Sequence, residues 1–312
     1  MPEARTSRTL LLLCFAAVYL IWGFSFAASK LVVADLPPLL ASGVRFSIAG
    51  SGLALIAAWR GARPPRARSE WRHFAVMALF LIVLANGCNT LALRYVYSSE
   101  AALLNVSSAF WIPMLGALGA RGHPIRGRAA LGLLLGFAGV SFLMWPRGGI
   151  SSSALGWKLV MVAGCFAWAL GTVYYRRITT TTPALMFSAL EMLIGGLALA
   201  TIGLATGDAS RWHATWPSLG GLAFLTVMSS GVAYTAFGYL MRHTTPARLG
   251  TYGYVNPAVA ALVGWLLLGE RLSTPQLIGT AIALLGVVLI SLPGDGETRV
   301  PDAAAPPSEA TP

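Results

Sequence analysis

The chain has 312 residues, of which 56% are hydrophobic and only 11% charged, and its mean hydropathy is +0.69. Soluble globular chains carry about 25% charged residues, so the composition excludes a water-soluble domain and indicates an integral membrane protein with many spans. The net charge of +11 comes from basic residues clustered between apolar runs, which is how orientation in a bilayer is encoded, and nucleic acid is rejected as a partner.

Arg5 and Arg8 precede an apolar run over residues 10–30 that continues past Trp22 and Gly23 to Lys30. That is too long for the core of a cleaved signal, so it reads as a retained first span. Further apolar runs follow at about 37–59, 72–92, 98–118, 128–145, 156–176, 183–206, 216–240, 246–268 and 275–292. A helix needs about 20 apolar residues to cross a bilayer, so the pattern predicts an all-α protein of ten transmembrane helices. Short connections make consecutive spans antiparallel neighbours. In the last pair Gly269 ends one helix, Ser273 or Thr274 caps the next, and Pro275 is its first residue. Residues 1–9 form a short N-terminal segment. The tail at 293–312, rich in Pro, Ala, Asp and Glu without apolar period, is expected to be disordered. Cys14, Cys88 and Cys165 all fall inside apolar runs and read as packing residues rather than disulfides or metal ligands.

Placing the N-terminus in the cytoplasm puts Arg60, Arg63, Arg66, Arg68, Arg72, Arg121, Arg126, Arg128, Arg176, Arg177 and Arg242 inside, with Arg5, Arg8 and Arg299. The other side receives Lys30, Arg94, Arg147, Lys158, Arg211 and Arg271, a split of roughly 14 against 6. Both termini are therefore expected inside, in a bacterial inner membrane.

The chain also repeats itself. A shift of 146 residues superposes Trp22 on Trp168, Lys30 on Arg176, Pro37 on Pro183, Arg45 on Glu191 and Gly50 on Gly196. A shift of 144 superposes Gly87 on Gly231, Tyr95 on Tyr239 and Pro113 on Pro257, and a shift of 147 superposes Gly132 on Gly279 and Gly139 on Gly286. Residues 10–145 and 156–292 are thus two five-span units joined by a linker at 146–155. Five is odd, so the second unit inserts upside down. Inverted repeats are a secondary-transporter architecture, with substrate held near the midplane between the copies.

Trp22-Gly23-Phe24-Ser25-Phe26, then Arg45-Phe46 after a proline-led start, and Pro257 followed by Leu268-Gly269-Glu270-Arg271-Leu272 resemble the EamA family of the drug/metabolite transporter superfamily. The resemblance covers about residues 10–292 and implies two inverted repeats and export of amino acids or related small metabolites. Bacterial aromatic and neutral amino-acid exporters are the kind it looks most like. Where repeat 2 has Gly269-Glu270-Arg271, repeat 1 has Gly119-Ala120-Arg121-Gly122-His123 without the acid, so Glu270 reads as part of an external turn.

Candidate site residues come from polar and aromatic side chains inside apolar runs, which must face protein or water rather than lipid. Trp22 and Trp168 are repeat mates that either anchor at the interface or line a path for an aromatic substrate. Asn89 in span 3, Asn105 and Trp111 in span 4, Tyr234 in span 8, and Tyr252, Tyr254 and Asn256 in span 9 lie in matching positions, as walls of a substrate cavity. Asn86, Thr90, Ser229 and Ser230 belong to the same polar set. Pro113 and Pro257 remove one backbone bond each and are expected to act as hinges. Arg45 and Glu191 are the deep charges of spans 2 and 7; they either pair across the repeat interface or each find polar partners in their own bundle, and structural pairing is expected rather than substrate binding, with Glu191 the candidate proton site if it titrates. Gly132, Gly136 and Gly139, with Gly279, Ala283 and Gly286, permit close packing within the subunit or between subunits, leaving monomer and homo-oligomer equally open.

No nucleophile elbow, phosphate loop or metal-ligand spacing is present in the sequence, so neither an enzyme nor a cofactor is expected. The expected partners are the lipid bilayer and a small-molecule substrate, amino acids first. A proton-coupled antiporter for lipophilic cations is the alternative. It needs an indispensable acid, and a paired Arg45 would keep Glu191 permanently charged.

Overall fold

The computed structural model describes residues 8–65, 67–118, 125, 127–143, 152–244 and 252–291. The loop from Gly119 to His123, Thr251 and the C-terminal tail lie outside the described residues, as does the side chain of Tyr254. Among the described residues all regular structure is helical. The first repeat contains α1 (Arg8–Asp35), α2 (Pro38–Trp59), α3 (Arg68–Leu93), α4 in two halves (Ser98–Asn105 and Ser108–Gly116) and α5 (Arg128–Leu143). The second contains α6 (Ser152–Arg177), α7 (Ala184–Ala205), α8 (Trp216–Phe224, Leu225–Ala233 and Tyr234–His243 end to end), α9 (Tyr252–Leu268) and α10 (Thr274–Ser291). Among the described residues, 6 helices are long and apolar enough to cross a membrane, and the stretches Arg128–Phe142, Val255–Leu268 and Thr274–Ile290 are shorter apolar helices.

Helix ends follow local rules. Pro38 opens α2 at its first turn, and Pro183 precedes α7, where a missing N–H costs nothing. Past the ends of α2 and α7 stand Gly61 (φ 83°) and Gly207 (φ 79°), left-handed positions that glycine adopts without strain. The helix α10 is capped by Ser273, whose backbone N–H donates to Gln276 Oε1 at 3.0 Å.

The two repeats interlock. The largest helix–helix contact joins α2 to α7, and the next joins α5 to α10, each a pair of repeat mates. In addition α1 packs on α8 and α9 of the other repeat, while α6 packs on α3 and α4. Small residues make the seams close. A Cβ on Gly196 would meet the Ser47 backbone nitrogen at 2.5 Å, and one on Gly286 would meet the Gly132 carbonyl oxygen at 2.6 Å. Without hydrophobic contrast to lipid, such close packing is what holds helices together in a bilayer. The small-residue faces of α5 and α10 are therefore occupied by each other inside the chain.

One end of the bundle, where α1 runs into α2, is called here the Asp35 face; the other is the Trp59 face. Buried polar ties cross between repeats at both. On the Asp35 face Glu270, only 7% exposed, accepts from the backbone and side chains of Ser98 and Ser99, starting α4. Lys158 of α6 forms a buried ion pair with Glu100, which also accepts from Gln276. On the Trp59 face Glu70 of α3 accepts from Thr180, Thr181 and Thr182, just before α7. Glu270, in the turn between α9 and α10, is thus buried rather than exposed, and so is Lys158 near the start of α6. Each is buried because its polar partners arrive from the other repeat.

Candidate functional site

Three departures from regular α-helix shape the centre of the bundle. Residues Ala78–Asn86 of α3 and Leu225–Ala233 of α8 are π-helical, at matching places in the two repeats. Such wide turns are rare and occur mostly at functional sites. At the C-terminal end of the first, the Asn86 side chain donates to the Leu81 carbonyl at 2.6 Å, while the Asn86 carbonyl accepts from Thr90 at 2.7 Å. The third departure divides α4 at Val106 and Ser107, where hydrogen bonds contract to i→i+3 spacing. Asn105 stands at this break. Its Oδ1 accepts from Asn89 Nδ2 at 2.9 Å, and its carbonyl accepts the Ser108 hydroxyl at 2.8 Å. The discontinuity therefore precedes Pro113, which lies inside the second half of α4. The polar turn at 105–108, whose hydroxyl and amide groups compete with the ladder, is where the span divides.

These irregularities surround one cavity between the repeats, of about 150 Å³ measured as the space open to the centre of a water molecule. By the same measure a single water needs roughly 10–15 Å³, so a solute of amino-acid size fits. The lining residues of α1, α2 and α3 fall in the halves of those helices nearer the Asp35 face, and those of α4 lie in its first half and at the break, ending at Ser108. Toward the Trp59 face the floor is aromatic. The rings of Trp22 and Trp168 meet edge to face at 6.0 Å, and Tyr252 stands edge-on to Trp22 at 5.8 Å. Phe237 packs beneath at 4.9 Å from Trp22, and Tyr234 stands 6.4 Å from Trp168. Asn89 and Asn105 form a polar wall, and Asn256 and Pro257 of α9 complete the lining opposite.

Trp22, Asn89, Asn105, Trp168, Tyr234, Tyr252, Asn256 and Pro257 therefore converge, although they are scattered along both halves of the chain. Others do not. Trp111 packs against Phe137 and Phe166, with its indole N–H buried and unpartnered, and it is not among the described lining residues. Pro113 is likewise away from the lining, and Tyr254 has its side chain outside the described residues. Ser25, Phe26 and Ser29 line the cavity without having been singled out from the sequence. Their signal was there: with Trp22 they fall at i, i+3, i+4 and i+7, one face of a helix.

The deep charges do not pair. Arg45 donates through Nε to the Ser230 hydroxyl at 2.9 Å and through Nη2 to the Ser229 hydroxyl at 3.1 Å. Glu191, 2% exposed, instead accepts the Tyr234 hydroxyl at 2.5 Å. The partners of both come from α8: Ser229 and Ser230 in its π segment and Tyr234 directly after it. Among the described residues Arg45 has no ion pair, and its guanidinium lies on the cavity wall. No group of three or more His, Cys, Asp or Glu that could hold a metal occurs among the described residues.

Sequence comparison fits this geometry. The model of the EamA-like transporter family matches residues 9–145 and again residues 155–292. The inner membrane transporter YedA of Escherichia coli K12 is 32% identical over 281 residues, covering 88% of this chain and 89% of YedA. The transporter YvbV of Bacillus subtilis is 27% identical over 299 residues, covering 93% and 94%. One crystal structure, 20% identical, superposes with a TM-score of 0.66 over 91% of this chain and 96% of that one, a likeness of fold alone.

Proposed function

The chain belongs to the EamA-like transporter family, and from that premise we propose that it exports small metabolites, amino acids with apolar or aromatic side chains first among them. It is a multi-pass protein of the inner membrane and moves small solutes across it. In the proposed topology ten transmembrane helices form two inverted five-helix repeats, residues 10–145 and 156–292, with both termini in the cytoplasm. The Trp59 face is then cytoplasmic and the Asp35 face periplasmic. The observation that carries the proposal is the cavity between the repeats, with the mated indoles of Trp22 and Trp168 in its floor.

Transport proceeds by alternating access. The aromatic floor closes the cavity toward the cytoplasm, and the ties of Glu270, Glu100 and Lys158 hold the helix ends on the periplasmic side. Rocking one repeat against the other exchanges which end is closed. Pro257 on the wall, the two π segments and the break in α4 supply backbone that can bend, and Pro113 follows that break. Proteoliposomes containing the purified chain, loaded with a panel of labelled amino acids, with and without a pH gradient, test the assignment. Protein-dependent efflux is expected for the larger apolar and aromatic ones; no efflux across the whole panel refutes it.

A second reading, proton-coupled antiport of lipophilic cations, gains one observation. Glu191 is buried without a cationic partner, directly behind the wall residue Tyr234. Against it stands Arg45, a cation on the wall of the same cavity that would repel cationic cargo.

A further inference from the structure

We infer that Arg45 is the recognition site for a carboxylate on the transported molecule. The cargo therefore carries an anionic head beside an apolar or aromatic body; this rests on the export reading above.

A guanidinium has five N–H donors and cannot shed its charge. In Arg45 two of them reach the neutral hydroxyls of Ser229 and Ser230, and the plane lies 4.5 Å over the Phe46 ring. Three N–H groups remain, two of them on Nη1. They are not sealed in protein, since no Arg45 nitrogen is among the buried unpartnered atoms. Arg45 lines the central cavity and a much smaller one beside it, between α1, α2, α3 and α8. Among the described lining residues none is acidic, and Glu191, the acid on the facing helix α7, is engaged by Tyr234. An arginine in the middle of a membrane protein is costly unless it is paired. Here two serines fix its orientation, and among the described residues no acidic side chain pairs with it. A planar fork fixed at one edge and bare at the other matches a carboxylate, which takes two parallel N–H bonds.

A second group in the cavity also lacks a partner. Asn256 is 7% exposed, and its side-chain amide forms no hydrogen bond, with Oδ1 buried. An amide can present either a donor or an acceptor to a ligand, so it suits the amino or hydroxyl group beside a carboxylate. The aromatic floor receives the apolar remainder. Head and body are thus sorted within one cavity.

Binding and flux separate this inference from the export reading. Intrinsic tryptophan fluorescence of the full chain in detergent, with Trp22 and Trp168 as reporters in the floor, is titrated with matched compounds: phenylalanine, phenylacetate and phenethylamine, then leucine, 3-methylbutyrate and 3-methylbutylamine. The carboxylates and zwitterions are expected to bind at least tenfold more tightly than the amines, roughly 1.4 kcal/mol. Arg45→Gln removes that preference, and Arg45→Lys, which keeps the charge without the fork, lowers it in part. Amines binding as well as carboxylates, or undiminished carboxylate binding by a monodisperse Arg45→Gln protein, overturns the inference. Should Arg45→Gln not fold, the comparison of compounds on the unaltered protein decides alone. Carboxylate binding without flux in proteoliposomes upholds the Arg45 site and refutes the export reading instead.

Discussion

Glu270→Ala is expected to destabilise the protein more than any single surface change, because the carboxylate holds the start of α4 from the other repeat. Its two oxygens accept from Ser98 N at 2.8 Å, Ser98 Oγ at 3.0 Å, Ser99 N at 2.9 Å and Ser99 Oγ at 2.7 Å. Ser98 and Ser99 are 0% and 2% exposed, so no water replaces the lost acceptor. Leaving buried donors unsatisfied costs about 1–3 kcal/mol, and a carboxylate at a helix N-terminus contributes about 0.3–1 kcal/mol more. The four bonds act as a unit and do not add, so the expected loss is about 1–4 kcal/mol. Glu270→Gln keeps the shape and one acceptor oxygen, and should lose about half as much. The assay is thermal unfolding of the purified protein in detergent, followed by intrinsic fluorescence, with Arg94→Ala as exposed control. A clear order of Ala below Gln below wild type is expected. A midpoint for Glu270→Ala within error of wild type would refute the cap.

Three further outcomes follow from the packing and the cavity. Gly196→Leu drives a side chain into the Ser47 backbone of α2 and should abolish monodisperse expression, whereas Gly52→Leu, with nothing within 4 Å of its Cβ, should express normally; size-exclusion profiles compare them. Trp168→Ala opens the cavity floor and is expected to lower efflux at least tenfold, while Trp111→Phe, which removes an unpartnered N–H away from the lining, should leave efflux within about twofold. Glu191→Gln still accepts from Tyr234 and is expected to retain amino-acid efflux with its pH dependence unchanged, measured with and without an imposed gradient. Complete loss of efflux in that variant would favour proton antiport.

The sequence alone determined the membrane class, the doubled pattern and the family. These are carried by apolar runs of about 20 residues and by residue identities at a constant shift, both readable without knowing which helices touch. It also marked most of the cavity residues, since polar side chains in an apolar run must face inward. Which inward-facing groups meet was decided by tertiary structure. Ser230 and Arg45 are 185 positions apart and Glu270 and Ser98 are 172 apart, distances at which no periodicity carries information. Arg45 and Glu191, mates in the repeat, suggest a pair in the sequence; in the fold α8 supplies Ser229 and Ser230 to one and Tyr234 to the other. A π turn, unlike the polar turn that divides α4, has no residue signature of its own. It arises where packing from both repeats outweighs the regular ladder, and that balance exists only in the folded protein.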